Sequence, residues 1–453
     1  MMRVTLVSMV VGAGLLLAGC GSGGGSESAS GGASKSSGFA ALKMGNKVEV
    51  SSFQGGYGLD MFEEFGKEFA AAKKVEVKVG GDPRIWLQLQ PRFVGGNPPD
   101  LTWPGWGMDY WKLVKENQLM QLDEALDSMA ADGKTKWRET FEPGLLALGQ
   151  EDGKTWMLPY HFNINGWWAN KTVFDKNGLK VPTTYEELLT VGEQLKAKGI
   201  APITFQGQYP YYSIFGFVLP WAISAGGMQQ LDDMQNLVPG AWGSAAVVKA
   251  AEMMTELRTK GFFQSGATGM SHTESQSEFL LGKAAMIPCG TWLHSEMKDV
   301  WPKGAEAVFM LPPALASGKD ATNICVGIEP WVIPAKGKNP LGGIELYKYM
   351  TTQENAVRFV EAKGTLMGIK GANEKAKLPE HLKEPARLFG QSQAVWSPMF
   401  SIWYPKFKKA LEGATAQLMN GEITPKQFAE ACEAAAEETR NDAKVMKHKY
   451  SRG

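Results

Sequence analysis

The chain carries no surplus of charge: 47 lysines and arginines stand against 47 aspartates and glutamates. No basic block interrupts that balance, which excludes the nucleic-acid binders that depend on a clustered cationic face. Catalytic signatures are missing as well, with no Gly-x-Ser-x-Gly, no His-Glu-x-x-His and no phosphate-cradling glycine loop. Cysteine is scarce. Beyond Cys20 there are Cys289, Cys325 and Cys432, an odd set that allows at most one disulfide and fits no zinc spacing, so they read as small buried residues. Nothing calls for a cofactor or a metal. After Cys20 no run is long and apolar enough to cross a bilayer.

What is abundant is aromatic. The 15 tryptophans join 11 tyrosines and 21 phenylalanines. Many sit among glycine and proline, as in Trp103-Pro104-Gly105-Trp106, Tyr209-Pro210-Tyr211-Tyr212 and Pro330-Trp331. Rings carried on loops are candidates for stacking on the C–H face of a sugar. Any single tryptophan is still more often core than contact.

Met1 to Cys20 starts with the charge of Arg3, continues through an apolar run from Val4 to Leu17, and ends in Leu17-Ala18-Gly19-Cys20. The run is shorter than the roughly 20 residues of a membrane span, and small residues before a cysteine make a processing site. The pattern resembles a bacterial lipoprotein signal over 1–20, which implies a lipid anchor on Cys20. The Gly/Ser/Ala-rich stretch that follows reads as a flexible tether over 21–43, so the remainder is expected to be exported and held at the outer face of the cytoplasmic membrane, or in the periplasm of a two-membrane cell.

At 453 residues the chain is too long for one ordinary core, and two lobes are expected. Lys47 to Phe53 alternates and carries β-branched residues, which predicts a strand. Leu59 to Ala72 has the period of an amphipathic helix, and Val75 to Val79 is a second strand. Strand, helix, strand implies a parallel α/β sheet. Ile85 to Phe93 reads as a helix, broken by Asn97-Pro98-Pro99-Asp100 before the apolar Leu101-Thr102-Trp103. Thr184, with Glu187 three positions on, opens a capped helix to Lys198. Further helices are predicted over Ala245 to Lys260, Ser275 to Leu281, Gly342 to Thr351, Pro405 to Asn420 and Pro425 to Lys444, with a short buried strand at Ala284 to Pro288. No internal repeat is evident.

Gly96-Asn97-Pro98-Pro99-Asp100, Gly153-Lys154-Thr155-Trp156-Met157-Leu158-Pro159, Asn170-Lys171-Thr172-Val173-Phe174 and Pro182-Thr183-Thr184-Tyr185-Glu186-Glu187-Leu188 follow one another in order. Phe279-Leu280-Leu281-Gly282-Lys283-Ala284-Ala285-Met286 and Gly290-Thr291-Trp292 continue the series. Together they resemble the family 1 extracellular solute-binding proteins, the sugar-binding components of ATP-driven importers. Leu89-Gln90-Pro91-Arg92-Phe93, Pro239-Gly240-Ala241-Trp242 and His272-Thr273-Glu274-Ser275-Gln276 are similar to the branch that binds N-acetylglucosamine and diacetylchitobiose. The resemblance implies an α/β fold of two lobes, periplasmic-binding-protein-like, with a hinge and a ligand cleft between them. The N-terminal lobe would comprise 44–162 plus 327–375, and the C-terminal lobe 163–326 plus 376–453. Hinge crossings would fall near His161 to Gly166, near Cys325 to Ile328, and between Lys370 and Ser392. The implied partners are a small-molecule carbohydrate and membrane-embedded permease subunits, with the protein itself a monomer that binds no nucleic acid.

The same resemblance implies where the sugar is touched. Gln54 and Tyr57 replace a polar loop after the first strand. Trp103 and Trp106 follow a cleft-facing strand end, and His161 and Asn163 lie in Tyr160-His161-Phe162-Asn163. Asn163 stands where a maltose-binding relative has a carboxylate, and an amide suits an N-acetyl group because it both donates and accepts. Tyr209 and Tyr211 fall on a loop whose acid is missing here. Trp292 and Trp403 match stacking tryptophans, with Trp331 and Trp396 behind them. Glu274 and Glu329 could accept hydroxyl protons in charge-assisted bonds; otherwise Glu274 is a helix-start carboxylate and Glu329 a surface residue. A glycosidase would need paired carboxylates at fixed separation, and no nucleophile motif accompanies these two. A peptide or metal binder would want charge or ligand clusters in the cleft, against which the aromatic excess argues.

Overall fold

The computed structural model describes residues 39–319 and 322–452. The expected signal over 1–20, the anchor Cys20 and most of the 21–43 tether lie outside the described residues. From Phe39 onward the chain is docked. Phe39–Ala41 forms a short turn whose first N–H donates to the Glu124 carboxylate at 2.6 Å, and Phe39, Leu42 and Met44 pack on an apolar core. The last residues of the expected tether therefore belong to the folded body, because they carry apolar side chains that the Gly/Ser stretch lacks.

Strand β1 (Lys47–Phe53) lies between β2 (Glu76–Asp82) and β3 (Leu101–Trp103), all parallel, with Val50 opposite both Val79 and Leu101. The connecting helix Asp60–Lys73 turns Phe62, Phe65 and Phe69 inward, at the spacing of one helical face. A small hairpin of β4 (Gln150–Glu151) and β5 (Lys154–Thr155) leads into β6 (Leu158–Asn170). The strands β7 (Ala201–Ile203), β8 (Ala284–Gly290), β9 (Ala307–Met310), β10 (Asn323–Trp331), β11 (Leu366–Met367) and β12 (Ala394–Trp396) complete a second sheet. Its order is β12-β10-β6-β8-β7, with β9 and β11 also paired to β6. Strand β6 runs antiparallel to β8, β9, β10 and β11.

Helix ends follow their capping residues. Thr184 and Glu187 form the capping box that the sequence predicts. Ser271 and Glu274 form another, so that helix starts at His272, ahead of the expected Ser275. Asn339 caps a helix that begins at Pro340, before the expected Gly342. The last helix stops at Asn441, short of the expected Lys444, and leaves a non-helical tail to residue 452. Among the described residues no helix is long and apolar enough to cross a membrane.

Buried apolar side chains sort into two cores. The smaller gathers Val48, Phe62, Phe65 and Leu101 with Trp331, Ile344 and Phe359. The larger holds Ile164, Trp167 and Trp168 of β6, Met286 and Ile287 of β8, and the C-terminal helices through Phe407 and Phe428. Strand β6 passes from one to the other: Tyr160 belongs to the smaller core and Phe162 to the larger. Strand β10 crosses between Val326 and Trp331, and β11 between Leu366 and Met367. The division does not follow the sequence boundaries everywhere. Ile85, Leu89, Trp111 and Val114, early in the chain, join the larger core, and Trp111 meets Trp403 at a ring-centroid distance of 6.4 Å.

Candidate functional site

Where the strands change cores, polar groups and ring edges converge. His161 on β6 is fully buried, edge-on to Tyr57 at 4.8 Å and to Trp103 at 5.1 Å. Neither of its ring nitrogens has a hydrogen-bond partner, and burial pushes its pKa down to about 3, so the ring is neutral. Two residues on, the Asn163 carbonyl oxygen accepts from the Tyr57 hydroxyl at 3.4 Å and the Thr291 hydroxyl at 3.3 Å. Its amide nitrogen donates to no described residue and remains available. Burial pushes the Tyr57 phenol up to about 12, which keeps it a donor at neutral pH.

Glu329 lies where the β10 register shifts between Ile328 and Pro330. The sequence alternative of a surface residue is corrected: its side chain is buried, with Oε2 unpartnered, and burial holds the carboxyl well above the usual range while the neighbouring Trp103 indole offsets only part of the shift. That indole N–H makes no hydrogen bond of ordinary geometry, so the contact is proximity and not a formed bond. Burial thus favours the protonated, uncharged form of Glu329.

A second group lies on the neighbouring elements. Tyr211 and Tyr212, in the short helix Pro210–Ser213, stack at 4.2 Å. Tyr212 stacks on His272 at 4.8 Å and approaches Trp292 at 6.2 Å. His272 and Gln276 both reach the Glu296 carboxylate at 2.8 Å, and the Lys408 ammonium sits 4.6 Å from the Tyr211 ring centre. Trp292 is half-buried with its indole N–H unpartnered. Gly290 ends β8 for a steric reason: a Cβ there would come within 2.0 Å of the Trp292 ring. Because Thr291 bonds Asn163, the two groups adjoin.

The other expected contacts fall variously. Gln54 is exposed on the loop after β1, and Tyr209 is exposed beside Tyr212. The side chain of Trp106 lies outside what the structure describes. Glu274 spends its carboxylate on its own helix, accepting the Ser271 N–H at 2.8 Å. Trp331 is fully buried against Phe62, Tyr160 and Tyr347, and Trp396 is 1% exposed with its indole donating to Asn323. Both correct the expectation of an open face, since packing leaves them none. Trp403 is 9% exposed, its face covered by the His448 ring. Sequence reasoning missed Tyr212, His272, Gln276, Glu296 and Thr291 as site members. The Tyr-Pro-Tyr-Tyr string is the available signal for Tyr212, and the His272 to Gln276 and Gly290-Thr291-Trp292 strings for His272, Gln276 and Thr291, whereas Glu296 lies in the short helix Leu293–Met297 with no motif around it. Among the described residues no set of three or more His, Cys, Asp or Glu side chains is placed to hold a metal.

Neutral polar groups beside stacked rings suit a neutral, hydroxylated ligand better than an ion. A sequence profile of the family described as bacterial extracellular solute-binding protein matches residues 61–386. The chain belongs to that family. This solute-binding protein is 28% identical over 421 residues, covering 89% of it and 87% of its relative, to the diacetylchitobiose binding protein NgcE of Streptomyces coelicolor. Among solved structures it resembles a chitin oligosaccharide binding protein, with TM-score 0.68, 19% identity, and coverage of 86% of this chain and 98% of the other. The apo form of RafE from Streptococcus pneumoniae matches with TM-score 0.71, 19% identity, and coverage of 86% and 97%. The two-lobed fold is thus that of the solute-binding proteins, and the family is one of binding proteins and not of enzymes.

Proposed function

We propose that this solute-binding protein captures an N-acetylated sugar, N-acetylglucosamine or a short chitin-type oligosaccharide, for an ATP-binding-cassette importer. Its class is the sugar-binding component of such an importer. The observation that carries the finer reading is Asn163: an amide with a free nitrogen, held by Tyr57 and Thr291, beside the Trp292 and Tyr212 rings. The free N–H matches an acetamido carbonyl, and the half-buried Trp292 ring offers a face for the sugar. The similarity to the diacetylchitobiose binding protein supports the same class.

We read the lobes as 44–162 plus 327–375 and 163–326 plus 376–453, and a ligand touching both would favour their closing. A lipid on Cys20 would keep the protein within reach of its permease. Calorimetry on the mature protein tests the ligand. One-to-one binding of N-acetylglucosamine or its dimer, with no product formed, is expected; maltose binding in preference to both would remove the acetamido reading, and turnover of any sugar would remove the transport reading.

A further inference from the structure

The cleanest stack on any expected sugar platform is made by the chain itself. Beyond Asn441 the tail runs back over Trp403, and the His448 ring lies on the indole at 5.0 Å with the planes 10° apart. That is the separation and attitude of an offset-stacked ring pair. The backbone N–H of His448 donates to the Tyr404 hydroxyl at 2.9 Å. Its Nδ1 lies 2.6 Å from the Glu151 carboxylate and its Nε2 3.3 Å from the Lys115 ammonium. Further along, Tyr450 exchanges two backbone hydrogen bonds with the Asn236 side chain, at 2.9 and 3.1 Å, and Arg452 pairs with Asp232 at 2.7 Å. Beside this strap a cavity of about 440 Å³ opens, lined in part by Trp111, Trp403 and His448.

These contacts are too many and too specific for a frayed end. His448 is 5% exposed and links groups far apart in sequence: Lys115 and Glu151 on one side, Trp403 and Tyr404 on the other. Meanwhile the half-buried Trp292 ring has no ring stacked on it, its nearest being Tyr212 at 6.2 Å and His272 at 6.5 Å, both tilted, and the Asn163 amide nitrogen has no partner among the described residues. We propose that the C-terminal tail is a length stop: His448 takes the place on Trp403 that a further sugar unit would occupy and restricts the ligand to the stretch served by Trp292 and Asn163. The inference rests on the carbohydrate reading above. A longer saccharide must displace the tail, and breaking the His448 and Tyr450 contacts offsets what its extra unit gains on Trp403.

The test is a calorimetric series of chitin oligosaccharides of increasing length against the full mature protein, the His448→Ala variant, and a chain ending at Asp442. Circular dichroism establishes that each variant is folded. In both variants the affinity for long oligomers relative to the dimer should rise about tenfold or more, a gain of about 1.4 kcal/mol. Adding Trp403→Ala to His448→Ala should cancel the gain, as truncating an aromatic anchor does. Dimer binding with an unaltered length profile in both variants would overturn the stop and leave the carbohydrate reading standing. Failure of every protein to bind any sugar of the series would remove that reading and the stop with it.

Discussion

Replacing Glu329 by Gln exposes how the neutral interior of the site sets its pH response. The Glu329 side chain is 5% exposed, and burial holds its pKa well above the free-carboxyl value of 4.5. Above pH 4.5 the unfolded chain releases a proton that the folded protein keeps, so stability falls by about 1.4 kcal/mol per pH unit until the folded-state pKa is passed. His161 acts with the opposite sign. Its pKa is pushed from 6.5 to about 3, so below pH 6.5 the unfolded chain takes up a proton that the folded ring refuses. Stability then falls by about 1.4 kcal/mol per unit as the pH drops. Above pH 4.5 and below pH 6.5 the two groups act with opposite sign in the native protein. Glu329→Gln removes one of them. Between pH 6.5 and 4.5 the variant should therefore lose more stability on acidification than the native chain does, the excess being the Glu329 contribution. Any offset from placing an amide at this position is the same at both pH values and leaves the difference untouched. Urea unfolding followed by tryptophan emission at the two pH values measures it. Parallel pH profiles for variant and native protein would refute the buried, neutral carboxyl.

Two other perturbations separate site from core. Trp292→Ala should weaken sugar binding by about 2 kcal/mol or more, roughly thirtyfold, as loss of an aromatic anchor does, whereas Trp396→Ala should lower stability by about 3–5 kcal/mol through the cavity it leaves; the pair is read by calorimetry and by urea unfolding, and an unchanged affinity would return Trp292 to the packing residues. Cys289, Cys325 and Cys432 are free and buried, with burial pushing the Cys325 thiol up to about 12, so a disulfide-exchange reagent should leave them unmodified in native protein and react with all of them in urea.

Local grammar was legible wherever one face of an element is dry and the other wet. Lys47–Phe53 alternates and forms the strand over those residues, and the Thr184 and Glu187 pair closes as its spacing predicts. Strand β6 was not legible. Leu158–Asn170 is buried on both faces for most of its length, and although Tyr160 to Asn165 alternates apolar and polar residues, Pro159, Gly166 and the Trp167-Trp168-Ala169 run break the period, so no single pattern spans the strand. The site was read only in part. Asn163, Tyr57 and Trp292 do converge with their neighbours, but residue type alone does not reveal which way a ring points. Trp331 and Trp396 sit in the same proline-flanked and short-strand contexts as the half-buried rings, yet packing closes over them. For Glu329 the sequence left open a hydroxyl acceptor in the cleft and a surface carboxylate, the usual place of such a group, and its burial removes the second. The cover on Trp403 comes from His448, far away in sequence, and no local pattern could announce it.

Because β6, β10 and β11 lie side by side where each leaves one core for the other, they work mechanically as a strip and not as a string. A strip of hydrogen-bonded strands yields to bending across its width but resists shear and axial twist, since either would break the ladder that holds it. A swing of one core against the other about this strip would keep the ladder, whereas shear between them would break it. A permease meeting this protein would then face a narrow set of shapes, distinguished by one angle.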